Sequence, residues 1–323
     1  MRLKLVPSET NWNFFRFASI TFGASLAAMV LSVVLFFLMG LNFGIDFRGG
    51  TTIRTESTQA VDVGVYRDAL SPLNLGDVAI SQVFDPGFGP DRNVAQIRIQ
   101  AQDDEASVTP ETINAVEAAL MAVDPAITFP SVESVGPKVS GELIRSAVIA
   151  VSLAMGAMLV YIWLRFEWQF SLGAVAALIH DLTLTIGIFA LLQIKFDLAI
   201  IAALLTIVGY SINDTVVVFD RVRENLRKYK RMDLKELLNL SINETLSRTT
   251  MTSFTTLLAL FALFALGGDV IRGFVFAMIW GIFVGTYSSI YMASNIVLML
   301  GVKRDWSKDQ DGGAGTQFAN VDA

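Results

Sequence analysis

The sequence holds no cysteine, a single histidine (His180) and few charges, with 17% of its 323 residues being Asp, Glu, Lys or Arg. Without cysteine there can be no disulfide framework, thiolate zinc site, iron–sulfur cluster or cysteine nucleophile. One histidine leaves no imidazole set to hold a metal. A net charge of −6 argues against a nucleic-acid partner. What fills the chain instead is apolar: 53% is hydrophobic and the mean hydropathy is +0.55, which excludes an ordinary soluble globular protein. The acidity is local, because residues 48–145 carry fourteen Asp/Glu against seven Lys/Arg and the remainder is close to neutral.

Crossing about 30 Å of hydrocarbon takes roughly 20 residues of helix. Six stretches qualify: 17–45, 141–164, 170–194, 198–219, 249–266 and 273–301. The first follows Arg2, Lys4 and Arg16 like a signal peptide, but its core is too long and no small-residue cleavage site precedes Asp46, so a retained helix is expected. Segments 1–16, 165–168, 220–248 and 302–323 hold three, one, eight and three basic residues, whereas the short connections on the other side hold only Lys195 and Arg272. That bias places both termini in the cytoplasm and segment 46–140 outside.

Segment 46–140 reads as strand 51–57, helix 61–71, strand 77–84, strand 93–100, helix 109–122 and strand 126–135. Thr109-Pro110 starts the second helix as N-cap and first helical position, and the Pro/Gly-rich run 85–90 is a turn between strands. The expected architecture is a membrane protein: a six-helix transmembrane bundle with a small α+β, ferredoxin-like (βαββαβ) extracytoplasmic domain inserted after the first helix. The tail from Lys308 is polar and Gly-rich, and disorder is expected there.

Ionisable residues inside spans cost about 2.5–3.5 kcal/mol on insertion scales and should face the interior or a wet cavity. Asp214 shares a helical face with Tyr210 and Ser211, and Asn213 is beside it. The fifth span opens with Arg248 and then places Thr249, Thr250, Thr252, Ser253, Thr255 and Thr256 within eight positions. Those hydroxyls either line a water path or bond their own backbone. Asp214 and Arg248 are either functional charges or a static ion pair, and Arg248 alone could be a snorkelling anchor. Asp181, next to His180 in mid-span, is either functional or bonded to Thr183 or Thr185. Small residues (Ala150, Ala154 and Ala157; Gly173 and Ala177; Gly281 and Gly285) are expected to pack helices within the bundle. Segment 220–248 is expected to be a basic, amphipathic loop around Leu234, Leu237, Leu238 and Ile242, lying on headgroups or docking a cytosolic partner.

The run from Gly44 through Asp46, Phe47, Gly49 and Gly50 to Thr51 resembles the signature that opens the extracytoplasmic region of the SecD/SecF family. Gly136 and Pro137 in Val135–Ser140, Arg165-Phe166-Glu167, His180-Asp181, the run Gly209–Arg221 and the run Asn243–Thr249 are similar to further family motifs. The resemblance implies half of an RND-type transporter, a subunit of the bacterial inner-membrane Sec machinery that acts with SecD beside the SecYEG channel. It implies functional links to the SecA ATPase and to YidC, and an unfolded preprotein as substrate. Protons would be the coupling ion, with no cofactor and no metal. ATP hydrolysis would belong to SecA, so no enzyme activity is implied here. Asp214 and Arg248 match the family's proposed proton path, with Asn213, Ser211, Thr252 and Asp181 as neighbours in it. The competing readings are half of an RND-type small-molecule exporter and a passive scaffold subunit. A protease is a weaker one, since no nucleophile motif accompanies His180.

Overall fold

The computed structural model describes residues 10–60, 62–76, 78–83, 92–100 and 108–302. The expected turn at 85–90 and the tail from Lys308 lie outside the described residues.

Among the described residues, six helical stretches are long and apolar enough to cross a membrane. After a 3₁₀ turn at Phe14–Phe17 come α1 (Ala18–Met39) and a one-turn helix α2 (Ile45–Arg48). Next are β1 (Gly50–Ser57), α3 (Val63–Leu70), β2 (Val78–Val83), β3 (Asn93–Gln100), α4 (Pro110–Val123) and β4 (Thr128–Val135). The chain then runs through α5 (Pro137–Arg165), α6 (Trp168–Leu192), α7 (Leu198–Lys228) and α8 (Leu234–Leu266). A last stretch joins α9 (Asp269–Ser288) to α10 (Ser294–Leu300) through a π-helical turn at Ser289–Ala293.

The four strands form one antiparallel sheet in the order β2-β3-β1-β4. Period-two alternation sends Ile53, Ala95, Ile97 and Ile99 into a core completed by Tyr66 and Leu70 of α3 and Val116 and Leu120 of α4. Asp62 caps α3 through the amides of Gly64 and Val65. Thr109 caps α4 through the Thr112 amide, with Pro110 first in the helix, where its missing N–H costs nothing.

Expectation and structure part at segment 220–248. Helix α7 continues to Lys228 and α8 begins at Leu234, so only residues 229–233 connect them. With 31 residues, α7 is about 46 Å long and outruns a bilayer core. The apolar residues expected on a headgroup surface are instead buried: Leu237, Leu238 and Ile242 pack with Val222 and Leu226 of α7. Charged and polar groups link the two helices, with one further ion pair inside α7. Arg221 donates to Glu244 at 2.7 Å and to Glu224 at 2.6 Å, and Asn225 donates to Glu244 at 2.6 Å and Ser241 at 3.0 Å.

Small residues set how closely the helices approach. A Cβ on Gly187 would lie 2.2 Å from the Ser32 hydroxyl of α1, and one on Gly281 would lie 2.4 Å from Ile207 of α7. Gly285 faces Ser211, and Gly173 faces the carbonyl of Ala293 in the π turn. On α5 the expectation holds in part: Ala150 and Ala154 are half-buried, while Ala157 is exposed. Gly156, next to Ala157, has no atom within 4 Å of a Cβ position.

Candidate functional site

The segment after α1 is built to reach α7. Gly49 (φ +74°) and Gly50 (φ +133°) take backbone angles that side chains disfavour, turning the chain from α2 into the sheet. A Cβ on Gly44 would meet Lys195 at 3.0 Å, and the Gly44 amide donates to the Phe196 carbonyl at 2.8 Å. Phe47 packs on Phe43 and Phe196. The Asp46 carboxylate accepts the Leu198 amide at 3.0 Å, while Asp197 accepts that of Ile200 at 3.3 Å, so two carboxylates hold the first turn of α7. Burial pushes the Asp197 carboxyl above its ordinary value, opposed by Lys195 at 3.9 Å. Gly136 is the residue before α5, with Pro137 first in that helix, and Ser140 donates to the carbonyls of Ile45 and Gly136. Above this seam, a cavity of about 600 Å³ separates the sheet face bearing Thr52, Arg54, Gln96 and Glu133 from Asp46, Lys195, Asp197 and Arg272.

Deeper in the bundle the helices carry a polar layer. Asp181, midway along α6 and fully buried, accepts the Ser211 hydroxyl of α7 at 2.5 Å and the Ser288 hydroxyl of α9 at 2.8 Å on one oxygen. Its other oxygen lies 2.9 Å from His180 Nδ1. The expected partner Thr185 bonds the Asp181 backbone carbonyl instead. Alongside runs a second chain: Tyr210 of α7 donates to Ser253 of α8 at 3.2 Å, and Ser253 meets Thr286 of α9 at 2.8 Å.

Asp214 is 2% exposed, and its Oδ2 has no hydrogen-bond partner among the described residues. Arg248 is the cation whose field reaches it, yet no N···O pair within 4.0 Å joins them, so the static ion pair is not what the structure contains. Arg248 is exposed, as are Gly209 and Asn213 on α7. Of the hydroxyl run on α8, Thr249, Thr252, Thr255 and Thr256 bond carbonyls of their own helix, and Ser253 reaches another helix. Sequence reasoning passed over Thr286 and Ser288. The polar run Thr286–Ser289 inside a charge-free span was their signal. Among the described residues no group of three or more His, Asp or Glu side chains could hold a metal ion.

At the end away from the sheet, Arg165 pairs with Asp220 at 3.2 Å and its carbonyl accepts from Arg223. Burial raises the carboxyl of the adjacent Glu167, with Arg223 opposing the rise.

The family model described as "Protein export membrane protein SecD/SecF, C-terminal" matches residues 115–303, and the "SecD/SecF GG Motif" matches residues 34–61. The chain belongs to the SecD/SecF family. The protein translocase subunit SecF of Cereibacter sphaeroides is 67% identical over 322 residues, covering 100% of this chain and 99% of that one. SecF of Rhodobacter capsulatus is 63% identical, with 95% and 94% covered. Among solved structures, SecDF from Thermus thermophilus is similar with TM-score 0.80 and 38% identity over 93% of this chain. SecDF in its super-membrane-facing form gives TM-score 0.69 at 38% identity over 96%. The chain spans 40% of the length of each of those SecDF chains. In family terms, the GG motif is the Gly49-Gly50 turn that leads from α2 into the sheet.

Proposed function

We propose that this chain acts as a SecF-type subunit of the Sec protein translocase, working with SecD to couple the proton gradient to the late stage of polypeptide export. Asp214 carries the reading. It is a carboxylate buried in a spanning helix, with one oxygen unpartnered among the described residues and no ion pair to Arg248. A charge placed only for packing would be closed into a pair, because an uncompensated buried ion is costly. Held apart, Asp214 and Arg248 can exchange environments as a proton binds and leaves. A proton crossing 100 mV releases about 2.3 kcal/mol, enough to drive a modest movement. We assign Ser211, Asn213, Thr252 and Asp181 to the same route as secondary members.

Asn213, Gly209 and Arg248 form an open surface at or near membrane depth, which lipid would cover at a cost. We assign SecD to that surface, in keeping with the SecDF names of the solved neighbours. The strand order and antiparallel pairing support a ferredoxin-like insert. In the orientation drawn from the basic residues, it is periplasmic, both termini are cytoplasmic and the bundle is half of an RND-type transporter in the bacterial inner membrane. SecYEG lies alongside, SecA supplies ATP-driven pushing, YidC is a further functional neighbour and the unfolded preprotein is the substrate.

The test is Asp214→Asn, which keeps shape but removes the titrating charge. Export into vesicles is measured with and without an uncoupler, alongside recovery of SecD. The variant should keep SecD and lose the uncoupler-sensitive gain. Full uncoupler-sensitive export would overturn the assignment.

A further inference from the structure

Among the described residues of the bundle interior, Asp181 is a carboxylate bonded from two other helices, and its arrangement bears on the chemistry of His180. Ser211 and Ser288 both reach the same oxygen, at 2.5 Å and 2.8 Å. The other oxygen is left to His180 Nδ1 at 2.9 Å, with both side chains fully buried. If Asp181 is ionised it can only accept, and Nδ1 then carries a hydrogen and donates it. In a neutral ring Nε2 then holds a bare lone pair, and it has no hydrogen-bond partner among the described residues.

We propose that His180 Nε2 is a second proton-binding site of the translocation cycle, in series with Asp214, with Asp181 as its fixed counter-charge. This rests on the proton-driven reading given above and adds to it an acceptor, a charge balance and a moving part. When a proton bonds to Nε2, the imidazolium and carboxylate are a closed pair of zero net charge. When it leaves, the pair is a net anion in an interior where its only ion-pair partner among the described residues is His180 itself. No group changes oxidation state: one N–H bond forms on loading, from a proton and the Nε2 lone pair, and breaks on release.

The neighbours allow that change to be felt by the helices. Asp181 ties α6 to α7 and α9, so a shift in its charge balance acts on three helices together. Ser211 stands three residues before Asp214 and therefore on nearly the same face of α7. Directly after Ser288 the chain widens into the π turn, and such turns inside helices recur at functional sites. From α9, Tyr287 stacks on the His180 ring at 6.1 Å, and its hydroxyl is committed to α1, accepting from Ser25 and donating to the Thr21 carbonyl. The titratable groups in contact with His180 are Asp181 beside it and Tyr287 over it, and Asp214 is linked to them only through Ser211, three residues before it on α7. A two-state element biased by one proton needs such a node, since packed interfaces switch rather than deform smoothly.

His180 is the only histidine in the chain, so ¹⁵N-histidine labelling of the full protein in lipid vesicles reports this ring alone, without any variant. The expected result is a ring protonated at Nδ1 and bare at Nε2 at high pH, gaining the Nε2 proton as the pH is lowered. A ring whose Nε2 stays bare at every pH at which the protein remains folded, or one bare at Nδ1, overturns the proposal. In export assays with SecD present, His180→Gln should lose the uncoupler-sensitive gain while retaining SecD. Full uncoupler-sensitive export by His180→Gln, with Asp214→Asn inactive, would sink the His180 site and leave the Asp214 reading standing. The reverse pattern, a titrating His180 with Asp214→Asn fully active, would remove Asp214 and keep His180 as the coupling site.

Discussion

Asp46, in the connection after α1, caps the helix that carries Asp214: its carboxylate accepts the Leu198 amide at 3.0 Å across 152 positions of sequence. The GG-motif segment is thereby tied to the entry of α7, as the Gly44 amide to Phe196 carbonyl bond also shows.

Asp46→Ala should lower stability by about 1 kcal/mol, the usual cost of losing a cap, while Asp46→Asn keeps an acceptor and loses little. Thermal unfolding in detergent compares the three proteins. Equal melting of Ala and wild type would mean that Asp197 alone suffices.

Gly187→Ala should destabilise by roughly 1–3 kcal/mol through overpacking, because its Cβ would fall 2.2 Å from the Ser32 hydroxyl. Gly156→Ala in α5 meets no atom within 4 Å and should leave melting of the isolated chain unchanged or raised. The contrast between the two variants is the measurement.

Asp197 gives a pH dependence whose sign follows from its raised carboxyl. Burial disfavours the ionised form in the folded state, so the favourable contribution exists below the ordinary carboxylate value of 3.8 and is lost as pH rises through the raised value. Asp197→Asn keeps a capping oxygen and avoids that loss. It should therefore melt higher than wild type near neutrality, with the advantage fading in acid. A variant less stable at neutral pH would show that the 3.9 Å contact with Lys195 outweighs burial.

Asn243 grips the N-terminal segment by its backbone: Oδ1 accepts the Trp12 amide at 2.9 Å and Nδ2 donates to the Trp12 carbonyl at 2.8 Å. Asn239 takes the Phe14 amide at 2.9 Å. Asn243→Ala should cost about 0.5–1.5 kcal/mol, since water can reach the freed backbone groups of the exposed Trp12, and it should speed hydrogen exchange at the Trp12 amide while leaving α9 unchanged. Unaltered exchange at Trp12 would show that Asn239 holds the segment by itself.

Apolar run length alone determined the six spans, because a bilayer accepts few charges and leaves no other way to satisfy the backbone. Alternation and the Thr109-Pro110 start likewise located the strands and α4, since those signals are local. Asp214, Asp181 and Arg248 stood out for the same reason, as charges in apolar surroundings. Their partners did not. Ser288 meets Asp181 across 107 positions and Ser211 across 30, contacts set by how α6, α7 and α9 cross and by the π turn. A serine in a helix has its own backbone as an alternative partner, as most of the α8 threonines show, so composition could not say which hydroxyl bridges helices. The extension of α7 to Lys228 was hidden in the same way: Val222, Leu226, Leu237 and Leu238 become a core only when two helices pair, and a basic run read by itself resembles a surface loop.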